Sequence, residues 1–129
     1  MLGSRHPVLV VDDHQATREA IERLLGFHGY SVITTSDAQE ALEYLEAGGE
    51  VCAMVLDLDM PRMDAPTFRE RQMADPALAG IPVIVFTGLV ADPLPGVAGV
   101  VRKTDPDTLL ALLDRCLLRS STNSKASRR

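Results

Sequence analysis

The sequence predicts an α/β domain, a doubly wound parallel sheet with helices over both faces. Three observations predict it. Short apolar runs recur along the chain, VLVV at 8–11, VCAMVL at 51–56 and PVIVF at 82–86, without the alternation of a sheet that has one wet side. Between these runs, apolar residues return at helical spacing. The length of 129 residues suits one core, and no repeat or internal linker divides it. Only 4% of the residues are aromatic, so that core has to be assembled from Val, Ile, Leu and Ala.

Val8 to Val11 is the first buried strand. Gln15 to Phe27 follows as a helix with Thr17, Ile21, Leu24 and Leu25 on one stripe, Glu19 and Arg23 paired at i,i+4, and Gly29 as its stop. Tyr30 to Thr35 is rich in β-branched residues and reads as a strand. Ser36 and Gln39 have the spacing of a capping box, which opens a helix with Ala38, Ala41, Leu42 and Leu45 inward and Gly48-Gly49 at its end. Val51 to Leu56 is the third strand. A helix from about Ala65 or Pro66 follows, with Asp64 as its cap. Pro82 to Phe86 and Ala98 to Arg102 are the last two strands. Asp105-Pro106 caps and opens a final helix through about Leu118, burying Leu109, Leu112, Leu113, Cys116 and Leu117. The domain is read as residues 7–119, and the polar, Ser-rich stretch 120–129 as a disordered tail.

Composition removes several classes of function. A formal net charge of −5 argues against nucleic-acid binding by this domain. No apolar run is long enough to span a bilayer, and residues 1–7 lack the apolar segment of a signal peptide, so the cytoplasm is the default location. Cys52 and Cys116 have no metal-like spacing and are expected to be buried, reduced thiols.

In an open parallel sheet, ligands bind beyond the carboxyl ends of the strands. The first strand ends in Asp12-Asp13, the third in Asp57, the fourth in Thr87 and the fifth in Arg102-Lys103. Each has a bland reading: a cap, a turn former or a solvated lysine. Four strand ends of one rim carrying such groups together do not. Three converging carboxylates repel one another, and a divalent cation relieves this. Mg²⁺ takes oxygen ligands, including carboxylates and phosphate oxygens. Asp13 and Asp57 are the candidate direct ligands, Asp12 acts directly or through water, and Lys103 offsets remaining charge. A carboxylate is also a competent nucleophile toward phosphorus, and phosphoryl transfer is catalysed mainly by positioning and charge neutralisation.

The ordered set VLVVDDH (8–14), VLDLDMPRMD (55–64), PVIVFTG (82–88) and VVRK (100–103) resembles the receiver domain of bacterial response regulators over residues 7 to 118. The resemblance implies a flavodoxin-like sheet with strand order 2-1-3-4-5. It implies Asp57 as phosphoacceptor, Asp12 and Asp13 as holders of Mg²⁺, the backbone carbonyl of Asp59 as a further metal ligand, Thr87 as switch hydroxyl and Lys103 as phosphate-pairing lysine. It also implies a sensor histidine kinase or histidine phosphotransfer protein as donor and a downstream protein as target. The domain would be a signalling switch of the single-domain type that promotes its own phosphorylation and dephosphorylation. A homodimer through Leu110 and Leu118 is one reading of the last helix, and packing against the sheet is the other.

The chain departs from the family at several points. Val100 stands where an aromatic switch residue is usual. Thr104 follows Lys103 in place of proline, so a trans bond is expected. Ala65 replaces a usual glycine. Between Gly88 and Val97 there is too little chain for a full crossover, and Pro93 and Pro95 oppose a helix, so the fourth helix of the family is expected to be shortened or missing and output to use another surface. Two other readings compete. One is a docking module that is never phosphorylated. The other is a phosphatase similar to haloacid dehalogenases, which share Asp57-Leu58-Asp59, Thr87 and Lys103 but carry their acidic pair after the lysine.

Overall fold

Each apolar run becomes a strand in the computed structural model, which describes residues 6–58, 63–88 and 96–127, side chains included up to residue 117. In chain order the elements are β1 (Val8–Val11), α1 (Gln15–Phe27), β2 (Val32–Thr35), α2 (Ala38–Glu46), β3 (Ala53–Leu56), α3 (Ala65–Met73), α4 (Pro76–Ala79), β4 (Val83–Thr87), β5 (Gly99–Arg102) and α5 (Pro106–Ser127). All five strands are parallel, in the order β2-β1-β3-β4-β5.

Successive strand residues point to opposite faces, and here both faces are dry. Leu9, Val11, Met54, Leu56 and Val83 meet Ala38, Ala41, Leu42 and Leu45 of α2 and Phe68 of α3. Val8, Val10, Ala53, Val55, Ile84 and Phe86 meet Ile21 and Leu25 of α1 and Leu109 and Leu113 of α5. Two-sided burial is why the strands read as unbroken apolar runs. Each fully buried aliphatic side chain contributes roughly 1.5–3 kcal/mol of transfer free energy, so these two layers are the main source of stability.

The helix ends follow local chemistry. Gly29 closes α1 at φ 91°, donating its N–H to the Gly26 carbonyl, while Tyr30 N–H reaches the Leu25 carbonyl. Asp64 caps α3 by accepting from Thr67 N–H, and Asp105 accepts from Thr108 N–H at the start of α5. At α2 the expected box is displaced by one residue. Asp37, not Ser36, is the N-cap and accepts from Glu40 N–H at 2.8 Å, and Glu40, not Gln39, reaches back to Ser36 N–H at 2.7 Å. The aspartate beside the serine takes over the cap one residue later, because a carboxylate accepts more strongly than a hydroxyl. Glu19 accepts from Gln15. Cys52 and Cys116 are half-buried rather than buried.

Two differences from the sequence reading concern the number and length of helices. Asp75-Pro76 opens a short extra helix, α4, with Asp75 accepting from Ala77 N–H. The signal is the same Asp-Pro pair that opens α5 at 105–106. Helix α5 continues through Ser127, beyond the end near Leu118 and into the stretch read as a disordered tail. No glycine or proline interrupts residues 107–127, and a nucleated helix propagates at little further loss. Among the described residues no helix lies between β4 and β5. Residues 89–95, with Pro93 and Pro95, lie outside the described residues. The described part of that side is thinly covered, and Val100 is 41% exposed.

Candidate functional site

Sheet register alone brings the strand ends to one rim. Asp12 N–H donates to Thr35 O and Asp57 N–H donates to Val11 O, which sets Asp12 and Asp57 just past adjacent strands. Thr87 is the last residue of β4, and its carbonyl accepts from Lys103 N–H at 2.9 Å, which places the threonine and the lysine at the same level.

The side chains converge. Lys103 Nζ lies 2.8 Å from Asp12 Oδ2 and 3.4 Å from Asp57 Oδ2. Both carboxylates are only 2% exposed, and Lys103 is 22% exposed. Asp12, Asp13, His14 and Asp57 offer ligand atoms that all lie within 4.8 Å of one another. Thr87 is buried at the rim as well. Asp59, whose carbonyl is expected to join the metal, lies outside the described residues, as do Met60 and Pro61. Lys103–Thr104 is trans.

Electrostatics explains how such a pocket is tolerated. Burial lowers the pKa of the Lys103 ammonium, but the hydrogen bond and charge of Asp12, and then the charge of Asp57, outweigh burial and raise it. The lysine therefore stays charged. Three carboxylates against one ammonium still leave a formal excess of two negative charges, the deficit a divalent cation fills. The donor set of closely spaced carboxylate oxygens suits a hard cation such as Mg²⁺.

Two residues at the site carry no signal in the strand-end pattern. His14 donates its backbone N–H to Asp12 Oδ1 at 2.8 Å, and its Nδ1 lies 3.3 Å from Asp12 Oδ1 and 3.1 Å from Asp13 Oδ1. Arg18 Nη1 donates to the Asp12 carbonyl at 2.8 Å and ties the β1–α1 loop to the first turns of α1. His14, not either aspartate, is the N-cap residue of α1, and it makes no side-chain cap bond. The aspartates are thereby left for the pocket.

Residues 8–113 match the family described as the response regulator receiver domain. The chain belongs to the response regulator receiver domain family. This receiver domain is 42% identical over 83 residues to a protein-glutamate methylesterase/protein-glutamine glutaminase of Anaeromyxobacter dehalogenans, a match covering 64% of the chain and 22% of that protein. It is 49% identical over 57 residues to the response regulator MprA of Mycolicibacterium vanbaalenii, covering 44% of the chain and 24% of that protein. The matched part is thus about a quarter or less of the length of these curated relatives. Among solved structures it is similar to a response regulator receiver protein from Pseudomonas putida, with TM-score 0.76, 27% identity, and coverage of 88% of this chain and 99% of that one. No described helix is long and apolar enough to cross a membrane.

Proposed function

We propose that this receiver domain takes a phosphoryl group onto Asp57 from a phosphohistidine of a sensor kinase or phosphotransfer protein, with Mg²⁺ as cofactor, and thereby switches its binding to a downstream protein. The observation that carries this reading is the pairing of one ammonium, Lys103, with two almost fully buried carboxylates, Asp12 and Asp57, at the mouth of a parallel sheet.

A carboxylate oxygen of Asp57 attacks phosphorus. The P–O bond to Asp57 forms as the P–N bond to the donor imidazole breaks, and the bond electrons leave with the imidazole. Asp12, Asp13 and Asp57, with the Asp59 carbonyl, are the groups that would hold Mg²⁺, and the bound ion supplies charge neutralisation at a phosphoryl oxygen. In this reading Lys103 would pair with a second oxygen, and the Thr87 hydroxyl would donate a hydrogen bond to a third. Lys103 also offsets part of the negative charge that the acceptor brings to the pocket. The same residues serve hydrolysis of the acyl phosphate, so the domain promotes both its own phosphorylation and its own dephosphorylation.

A groove of about 440 Å³ opens beside Lys103, walled by Ala16, Ala20, Leu24 and Phe86. Its small apolar lining along α1 suits a partner helix presenting the donor histidine next to the acceptor.

The test is Mg²⁺-dependent binding of the phosphoryl mimic beryllofluoride, followed by phosphotransfer from candidate kinases. Wild type binds the mimic only with Mg²⁺, and Asp57→Asn does not bind it. Metal-independent binding, or binding that survives Asp57→Asn, refutes the reading. Failure of wild type to bind at all would favour the docking module that is never phosphorylated, which the exposed Val100 also fits.

A further inference from the structure

Most of the pocket is made of oxygen, and His14 is the exception. Its backbone is held by the hydrogen bond from its N–H to Asp12 Oδ1 (2.8 Å), so its Cα is fixed at the lip of the acidic pocket. Its Nδ1, rather than facing away, sits 3.1 Å from Asp13 Oδ1 and 3.3 Å from Asp12 Oδ1. Ligands on adjacent vertices of an octahedron with bonds of about 2.1 Å lie roughly 3.0 Å apart. His14 Nδ1 therefore already stands, from each of the two carboxylate oxygens, near the separation of neighbouring ligands on one ion, and all the candidate ligand atoms lie within 4.8 Å of one another. The His14 side chain is 60% exposed, so the ring can shift by the few tenths of an ångström that remain.

Resting on the metal-dependent reading above, we propose that His14 Nδ1 is a ligand in this pocket. The site is then a mixed nitrogen–oxygen one, and His14 sets its selectivity toward first-row divalent ions such as Mn²⁺ and Co²⁺ over Mg²⁺. Imidazole suits first-row transition ions, whereas Mg²⁺ prefers oxygen, so a nitrogen donor moves the ratio of affinities and not only their level. The competing role for the ring is an N–H that donates to both carboxylates. That role uses a proton where ligation uses a lone pair, and it gives no preference among ions.

The experiment uses the full chain at about pH 8, where free imidazole is neutral. Mg²⁺ and Mn²⁺ are titrated calorimetrically into wild type and His14→Ala, with circular dichroism showing that the variant is folded. Pulsed electron paramagnetic resonance is recorded on the Mn²⁺ forms. The expected result is that the Mg²⁺-to-Mn²⁺ ratio of dissociation constants falls at least about tenfold in His14→Ala. A directly coordinated ¹⁴N coupling should be present in wild type and lost in the variant. Mn²⁺ binding with no such coupling, or with a ratio unchanged by the substitution, overturns the proposal and leaves the phosphoacceptor reading intact. Nitrogen-coordinated Mn²⁺ without beryllofluoride binding at Asp57 sustains the His14 role and defeats that reading instead. Absence of any divalent binding overturns both.

Discussion

Tyr30 shows how one side chain at the seam between α1 and β2 carries a pH-dependent share of stability. Its hydroxyl donates to the Asp114 carboxylate on α5, and burial, then that hydrogen bond and the Asp114 charge, push the phenol well above its ordinary range. An unfolded tyrosine ionises near pH 10. Below that pH both states are protonated and the contribution is fully present. Above it the unfolded state releases a proton that the folded state retains, so stability falls as pH rises. Urea denaturation between about pH 8 and pH 11 should show this decline, and Tyr30→Phe should flatten it. The expectation fails if wild type and variant lose stability in parallel. At the pocket, Asp12, Asp57, Thr87 and Lys103 are legible in the sequence because each follows an apolar run, and period-2 strands with parallel register deliver their ends to one rim. His14 lies in the same stretch of sequence but is not legible there, because its Nδ1 contacts depend on a loop conformation that residue order does not express.

Among the elements, α2 and α5 announce themselves through apolar stripes and α3 does not. Its sequence, APTFRERQM, has one large buried apolar residue, Phe68, and its second fully buried large side chain is Gln72. Gln72 Nε2 donates to the carbonyls of Leu78 (2.9 Å) and Ile81 (3.0 Å), and its Oε1 accepts from Arg69 Nη1 (2.7 Å). A single amide thus joins α3, α4 and the approach to β4. No periodicity rule finds such a residue, because its burial is justified by partners elsewhere in the chain. Gln72→Leu keeps volume but takes the side-chain donor from both carbonyls, of which Leu78 keeps a backbone donor in Ile81 N–H, and should destabilise by about 1–3 kcal/mol in chemical denaturation. A loss below roughly 0.5 kcal/mol would mean the amide is not holding these segments. Asp64→Ala removes the α3 cap that the sequence does show, and should lower the denaturation midpoint on the same measurement, with little change expected in bound beryllofluoride. The extended α5 and the short α4 escape a sequence reading for opposite reasons. A polar tail without breakers propagates an existing helix, and a four-residue helix has too few positions to display a period.

For the whole molecule, two well-packed layers support a rim that is electrostatically unfavourable by itself. The buried faces flank the sheet on both sides, and at its rim Asp12, Asp13 and Asp57 bring like charge together with burial. On the Mg²⁺ reading proposed above, the fold tolerates a local repulsion that binding would relieve, and stability would be linked to metal occupancy. At Mg²⁺ about 100-fold above its dissociation constant, mass action adds about 2.7 kcal/mol, which for a chain of this size raises Tm by on the order of 10 °C. Asp13 is the more exposed member of the cluster, 31% against 2% for Asp12, so it can be neutralised without opening the core. Asp13→Asn should melt higher than wild type in EDTA, by about 0.5–1 kcal/mol, and gain much less from Mg²⁺, so that the two curves cross as Mg²⁺ is added. Thermal melts with and without the ion read this directly. A variant that melts lower in EDTA would show that Asp13 is a structural partner of His14 rather than a charge held in reserve for a cation.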